Sequence, residues 1–316
     1  MRRVLFVLAV ILGVVALVLA GVIVVLRPDR AVRVATGLVS HTLCSETFVA
    51  GLDPTQTVTE IFQTMPGLRR VLPLLRYEVD RTDRSVTASL RGRFTSRAVA
   101  RDGIGCRLEF RRMTNVPIAA TPAAGRLSAP TRGEASAALV ADIAGAAVVE
   151  PTSQTMRGIL DRAFAEPPTG PRRGTKAVIV MHDGRIVAER YAPGYSIDTP
   201  MFGWSMTKSV TSALVGILVR QGKLTLTAPA PVSAWRNPSD PRHAITLEHL
   251  LRMTSGLALD ETNSGFDPSS RMLFTQPDMA AFAESASLSA SPGTRYHYSS
   301  PSTLILSRIV TDAVGG

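Results

Sequence analysis

Gly203-Trp204-Ser205-Met206-Thr207-Lys208-Ser209-Val210-Thr211-Ser212 is the stretch on which the reading of this chain turns. From Ser205 to Arg220 the apolar residues Val210, Leu214, Ile217 and Leu218 recur at helical spacing, and Gly222 follows as a stop. Ser205 and Lys208 stand at the start of that helix, three positions apart. They share a face, so hydroxyl and amine can meet. A serine hydroxyl becomes a nucleophile when a base takes its proton. Lysine can be that base where burial or nearby charge disfavours the ammonium form. Arginine cannot, because it does not deprotonate in proteins. Of the 35 basic side chains only Lys176, Lys208 and Lys223 are lysines, so a lysine at this position is informative. The helix N-terminus adds dipolar stabilisation of negative charge near Ser205. A lone Ser-x-x-Lys arises by chance in roughly one such chain in four, so the flanking sequence has to carry the case.

Upstream, Lys176–His182 reads as a buried-type strand, Asp183-Gly184 as a two-residue type I′ turn and Arg185–Tyr191 as the returning strand. Downstream, Ile245–Leu257 contains a Thr246 N-cap and a helix over Leu247–Met253, ending near Gly256. Further helices are expected over Gln276–Ala286 and Ser302–Ala313. Between these two lies Ser291-Pro292-Gly293-Thr294, followed by Tyr298-Ser299-Ser300. A loop tyrosine facing the Ser/Lys pair can pass the serine proton on to a leaving group.

In order and spacing, the Gly203–Ser212, Leu250–Leu257, Pro292–Thr294 and Tyr298–Ser300 motifs resemble the class C β-lactamase and penicillin-binding-protein-like serine hydrolases, in particular the 6-aminohexanoate-dimer hydrolase and esterase-like branch. The resemblance covers about residues 165–316. It implies an α+β fold, with an antiparallel sheet flanked by helices and a helical subdomain. It also implies Ser205 as the acylated nucleophile, Lys208 as its base and Tyr298 as the second proton-transfer residue. Ser300 stands where many relatives place Asn; with Trp204 beside the nucleophile, it is a candidate substrate-binding residue. No metal and no cofactor is called for. The family's downstream Lys-Thr-Gly or His-x-Gly strand, which completes the oxyanion hole, has no counterpart before Gly316. The chain is therefore expected to be a fragment of a longer enzyme, with an uncovered hairpin.

The remaining sequence sets compartment and organisation. Arg2 and Arg3 precede an uncharged run from Val4 to Leu26, long enough as a helix, at roughly 34 Å, to cross a bilayer core. It lacks a small-x-small cleavage site, so residues 1–30 read as a signal anchor in the inner membrane; the flanking arginines leave orientation open, and the family resemblance implies that the rest is extracytoplasmic. Cys44 and Cys106 fit no metal spacing; in an oxidising compartment they read as one disulfide, with two buried thiols as the other possibility. Residues 31–116 read as a small mixed α/β domain, with a short helical pattern around Val58, Ile61 and Phe62 and turns at Thr82–Arg84 and Asp102-Gly103. Residues 117–150 read as an Ala/Pro-rich linker with a short helix, and 151–316 as the hydrolase domain. At 5% aromatic the core is mostly aliphatic. The net charge of +10 is scattered arginine without interleaved aromatics, which argues against nucleic acid as a partner.

Other chemistries fit less well. An α/β-hydrolase needs a second Gly in Gly-x-Ser-x-Gly, and Thr207 stands there. The five histidines form no zinc-binding cluster. A non-catalytic binding or sensor protein on the same fold is the competing reading. The substrate class expected is a linear amide, ester or peptide ahead of a β-lactam. Loss of half of an oxyanion hole costs about 10²–10³ in rate, so the chain as written is expected to turn over poorly. An acylation burst followed by rapid steady-state hydrolysis of an activated ester would contradict this.

Overall fold

In this computed structural model the described residues are 27–103, 105–110, 148–170 and 172–315, with the isolated glycines 13 and 21. Apart from those two glycines the apolar run Val4–Leu26, and with it nearly all of the expected anchor, lies outside them, as does almost all of the 117–150 linker with its expected helix. Among the described residues no helix is long and apolar enough to cross a membrane.

The N-terminal unit is a helix laid across a sheet. Helix α1 (Pro28–Phe48) opens with Pro at its first position, where the missing N–H costs nothing. Two short helices follow, α2 (Pro54–Glu60) and α3 (Pro66–Val71). Asp53 caps α2 by accepting from the amides of Thr55 and Gln56. Strands β1 (Leu75–Asp80), β2 (Ser85–Leu90), β3 (Arg93–Arg101) and β4 (Gly105–Leu108) form an antiparallel meander in sequence order. At the first turn Asp80 Oδ1 accepts from the amides of Thr82 and Asp83. Val39 and Leu43 of α1 pack on Val86, Ala88 and Ala98 of the sheet, with Phe62 and Leu108 closing the core. Cys44 and Cys106 form a disulfide joining α1 to β4, with Cα atoms 6.1 Å apart and a sequence separation of 62. Closing a loop of that length contributes up to about 4 kcal/mol on the chain-entropy account.

Helix α1 is not marked in the sequence pattern. Its buried face carries Thr36, Ser40, Thr42, Ser45 and Glu46 among Val34, Val39 and Leu43, so the apolar stripe that signals a helix is broken.

The second unit begins with α4 (Gln154–Phe164), capped by Ser153, and the hairpin β5 (Ala177–His182) and β6 (Arg185–Tyr191). Asp183 and Gly184 both have positive φ, 48° and 74°, as a type I′ turn requires. Among the described residues this hairpin has no third strand, and Ile179 and Met181 are more than half exposed. Helices α5 (Thr207–Arg220), α6 (Leu247–Leu251), α7 (Pro268–Thr275), α8 (Met279–Glu284) and α9 (Ser300–Val314) follow. They enclose a core of Val215, Trp235, Leu247, Leu250, Met272, Ile305 and Ile309. The helix expected over Gln276–Ala286 is shorter, because Asp278 caps it at Ala281 and so sets its start. Helix α7, capped by Asp267 at Ser270, has no counterpart among the expected elements.

The two units touch along α1 and α7. Phe274 of α7 packs into the N-terminal core, and Gly37 of α1 lies so close that a Cβ there would sit 2.6 Å from the Phe274 carbonyl oxygen. A second contact joins α2 to the hairpin: Lys176 Nζ is 2.8 Å from Glu60 Oε2, which also accepts from the Tyr195 hydroxyl at 2.9 Å. Burial pulls the Lys176 pKa down, but these bonds outweigh it and the net shift is upward.

Glu46 of α1 is buried, and its Oε2 has no hydrogen-bond partner among the described residues. Burial pushes its pKa up, with Lys176 opposing and Glu60 reinforcing. A carboxyl whose pKa rises on folding stabilises the native state fully below its unfolded pKa and loses that share as pH rises through the folded value. Urea melts between about pH 5 and about pH 8 are therefore expected to show stability falling with pH, and Glu46→Gln flattening that dependence. Identical pH dependence in the two proteins would rule this out.

Candidate active site

Ser205 lies in a single 3₁₀ turn, Trp204–Met206, that runs directly into α5. Trp204 has φ 40°, in the left-handed region that non-glycine residues enter at a cost of about 1–2 kcal/mol. Its carbonyl accepts from the Thr207 hydroxyl, and the Gly203 carbonyl accepts from the Met206 amide at 2.8 Å. These bonds turn the chain sharply into the helix and leave Ser205 on the open side. Trp204 is 53% exposed and its ring lies 5.5 Å from that of Phe202, so it borders the mouth of the site.

One helical turn on, Lys208 Nζ donates to Ser205 Oγ at 2.9 Å and to Ser300 Oγ at 3.0 Å. Its ammonium also sits 5.0 Å from the centroid of the Tyr298 ring. The Tyr298 hydroxyl donates to Ser205 Oγ at 2.6 Å. The three residues singled out for chemistry therefore converge on one oxygen.

Tyr298 is placed by backbone pairing between two loops. The Ser289 amide donates to the Gly256 carbonyl, the Gly293 amide to the Thr254 carbonyl and the His297 amide to the Met253 carbonyl, each at 2.8 Å. Gly256 has φ 77°, and a Cβ there would lie 2.2 Å from the Ala290 carbonyl oxygen, so only glycine fits. The Met253–Gly256 segment is itself set by α6. Thr246 accepts from the His249 amide while His249 Nδ1 accepts from the Thr246 amide, a reciprocal cap at the helix start. The Leu250–Leu257 and Pro292–Thr294 motifs are thus the two halves of one backbone contact that carries Tyr298 to Ser205.

Ser300, the candidate substrate-binding residue, lies beside the candidate nucleophile and base. It is buried at the first position of α9, behind the Ser205–Lys208 pair, with Ser299 capping that helix at the Ser302 amide. Its amide donates to Glu261 Oε2 at 2.6 Å and its hydroxyl to Glu261 Oε1 at 2.8 Å. Its contacts are Lys208 and a carboxylate. Glu261 was not singled out from sequence. It lies in an irregular loop after Leu259, where no periodicity or motif marks it.

A family model described as Beta-lactamase matches residues 160–315, and over that span the chain belongs to the β-lactamase-like serine hydrolase family. Among solved structures, the "Putative 6-aminohexanoate-dimer hydrolase from Bacillus anthracis" is similar at 22% identity and a TM-score of 0.40, over 51% of this chain and 43% of that one. The chain spans less than half the length of that relative. No curated protein matches the chain.

Gly256→Ala is expected to cost more than about 2 kcal/mol, from the overlap with Ala290 and the positive φ together. Tyr298 should be displaced with the loop. Denaturant melts measure the first effect, and reactivity of Ser205 toward an activated acyl or phosphonyl probe measures the second. A variant with wild-type stability and reactivity would refute the contact's role.

Proposed function

We propose that this chain carries a serine hydrolase domain that cleaves an amide or ester through an acyl-enzyme on Ser205. The observation that carries the reading is the convergence of Lys208 Nζ and Tyr298 Oη on Ser205 Oγ, at 2.9 and 2.6 Å. In the reacting state neutral Lys208 takes the Ser205 hydroxyl proton as Oγ bonds to the substrate carbonyl carbon. The tetrahedral adduct collapses as Tyr298 gives its phenolic proton to the departing nitrogen or oxygen. Lys208 then returns its proton to the phenolate. In the second half a water takes the place of the leaving group. Its proton passes to neutral Lys208 as its oxygen bonds to the acyl carbon; Ser205 leaves as the hydroxyl with the phenolic proton of Tyr298, and Lys208 reprotonates the phenolate. Atoms and protons balance over the cycle, with no co-reactant other than water.

A linear amide, ester or short peptide is the substrate class we favour over a β-lactam. The support is the open setting of the site, with Trp204 and Tyr298 both partly exposed at its edge, and the serine at position 300 where many β-lactam-acting relatives have asparagine. We also place the domain outside the cytoplasm, held by the N-terminal apolar segment. The Cys44–Cys106 disulfide supports an oxidising compartment, and the uncharged Val4–Leu26 run supports the anchor.

Labelling of the full chain with a fluorophosphonate or fluorescent penicillin tests the reading. Wild type should be labelled and Ser205→Ala should not. Lys208→Arg should slow labelling by about 10²–10⁴-fold, because the guanidinium keeps its proton, and Tyr298→Phe should slow release of a poor leaving group more than of an activated one. Slow, stable labelling without release points to the binding or sensor alternative. Labelling that survives in Ser205→Ala, or a wild type that never reacts, would sink the hydrolase reading.

A further inference from the structure

We infer that Glu261 is a positioning residue of this site: it holds the hydroxyl proton of Ser300 and so keeps the lone pair of neutral Lys208 free for Ser205. The inference rests on the proposed role of Lys208 as base. It follows from counting hydrogens along one line. Ser300 Oγ carries a single proton, donated to Glu261 Oε1 at 2.8 Å. Toward Lys208, 3.0 Å away, that oxygen is then only an acceptor. The second carboxylate oxygen of Glu261 receives the Ser300 amide at 2.6 Å, which fixes the carboxylate against rotation. Ser300 is buried, so solvent does not compete for its proton.

The consequence emerges when Lys208 is neutral. A neutral amine has two N–H donors and one lone pair. With Ser300 able only to accept, one N–H is spent on Ser300 and the lone pair faces the Ser205 hydroxyl, the geometry proton transfer needs. Without an anionic acceptor behind it, Ser300 can rotate its O–H toward the same lone pair and occupy it. The titratable groups facing this line from the surrounding elements are Lys208 on α5, Tyr298 before α9 and Glu261 itself. Next to Glu261 is Asp260, which lies 3.5 Å from His297 Nε2.

The test is a set of acylation rates measured with an activated fluorophosphonate on the full chain, as a function of pH. Glu261→Gln places an amide nitrogen or a neutral oxygen where the anion stood. It should slow labelling on the order of tenfold across the pH range, part of what a positioned base supplies. The deciding variant is the double substitution Glu261→Gln with Ser300→Ala. Deleting the hydroxyl removes the donor that blocks Lys208, so the double variant should label faster than Glu261→Gln alone. A purely structural role for Glu261 predicts the opposite, a double variant as slow as the single or slower. Loss of local folding in Glu261→Gln is distinguished by the same comparison, since removing a second contact would not restore rate. A wild type that labels on Ser205, with a Glu261→Gln variant of unchanged rate, overturns this inference and leaves the hydrolase reading standing. A wild type that never labels overturns both.

Discussion

The site depends on one close approach of two backbones. Gly256 has no side chain because the Ala290 carbonyl occupies the place where a Cβ would be. That contact lets the 289–297 loop lie along Met253–Gly256, with three amide-to-carbonyl bonds of equal length. Tyr298 and the start of α9 follow within a few residues. The position of the phenol over Ser205, and of Ser300 behind Lys208, is set by main-chain geometry before the side chains of these four residues contribute. Such placement suits proton transfer, because backbone pairing has less freedom than a long side chain on a mobile loop.

Around that frame the polar groups are arranged in an order with direction. Glu261 accepts from Ser300, Ser300 accepts from Lys208, and Ser205 accepts from both Lys208 and Tyr298. Each member is satisfied by the next. Burying Ser300 and leaving its hydroxyl without the carboxylate would carry the desolvation cost of an unpaired polar group, about 1–3 kcal/mol. The open end of the line is Ser205, where the reaction would occur, and the closed end is an anion. A serine at position 300 can both accept and donate through one atom, and Glu261 determines which it does toward Lys208.

What was legible in the sequence was what local physics dictates. Asp183-Gly184 between two apolar runs specified a type I′ hairpin, and the structure has it. The Thr246 cap, the turns at Thr82–Arg84 and Asp102-Gly103, and the Ser205–Lys208 spacing are likewise set within a few residues. The pairing of Cys44 with Cys106 was readable from there being only two cysteines and an expected oxidising setting. The parts that escaped depend on partners far along the chain. Helix α1 buries Thr36, whose hydroxyl meets Ser96, and Ser40, which bonds back to Gly37; tertiary packing pairs groups that look like surface residues in sequence. Glu261 acquires meaning only when Ser300, 39 positions away, folds against it. That Ser300 faces Lys208 is a matter of helix orientation, which the Tyr-x-Ser spacing does not encode.

The same distinction explains why the two units are coupled although their motifs are separate. The stretch from Glu261 to Thr275 touches the Ser300–Lys208–Ser205 line at its first residue and the N-terminal core near its last, through Phe274. Between them Asp267 binds the amides of Ser264 and Ser270 and the hydroxyl of Ser270, tying the loop to the start of α7. Helix α1, which meets this stretch at Gly37, is in turn fixed to β4 by the Cys44–Cys106 bond. A covalent link in one unit and a carboxylate in the other therefore belong to one continuous chain of packed contacts. Close-packed interiors transmit displacement instead of absorbing it. The tight fit at Gly37 makes the α1–α7 contact the narrowest point in that chain, since a single added methyl there meets backbone and not a movable side chain.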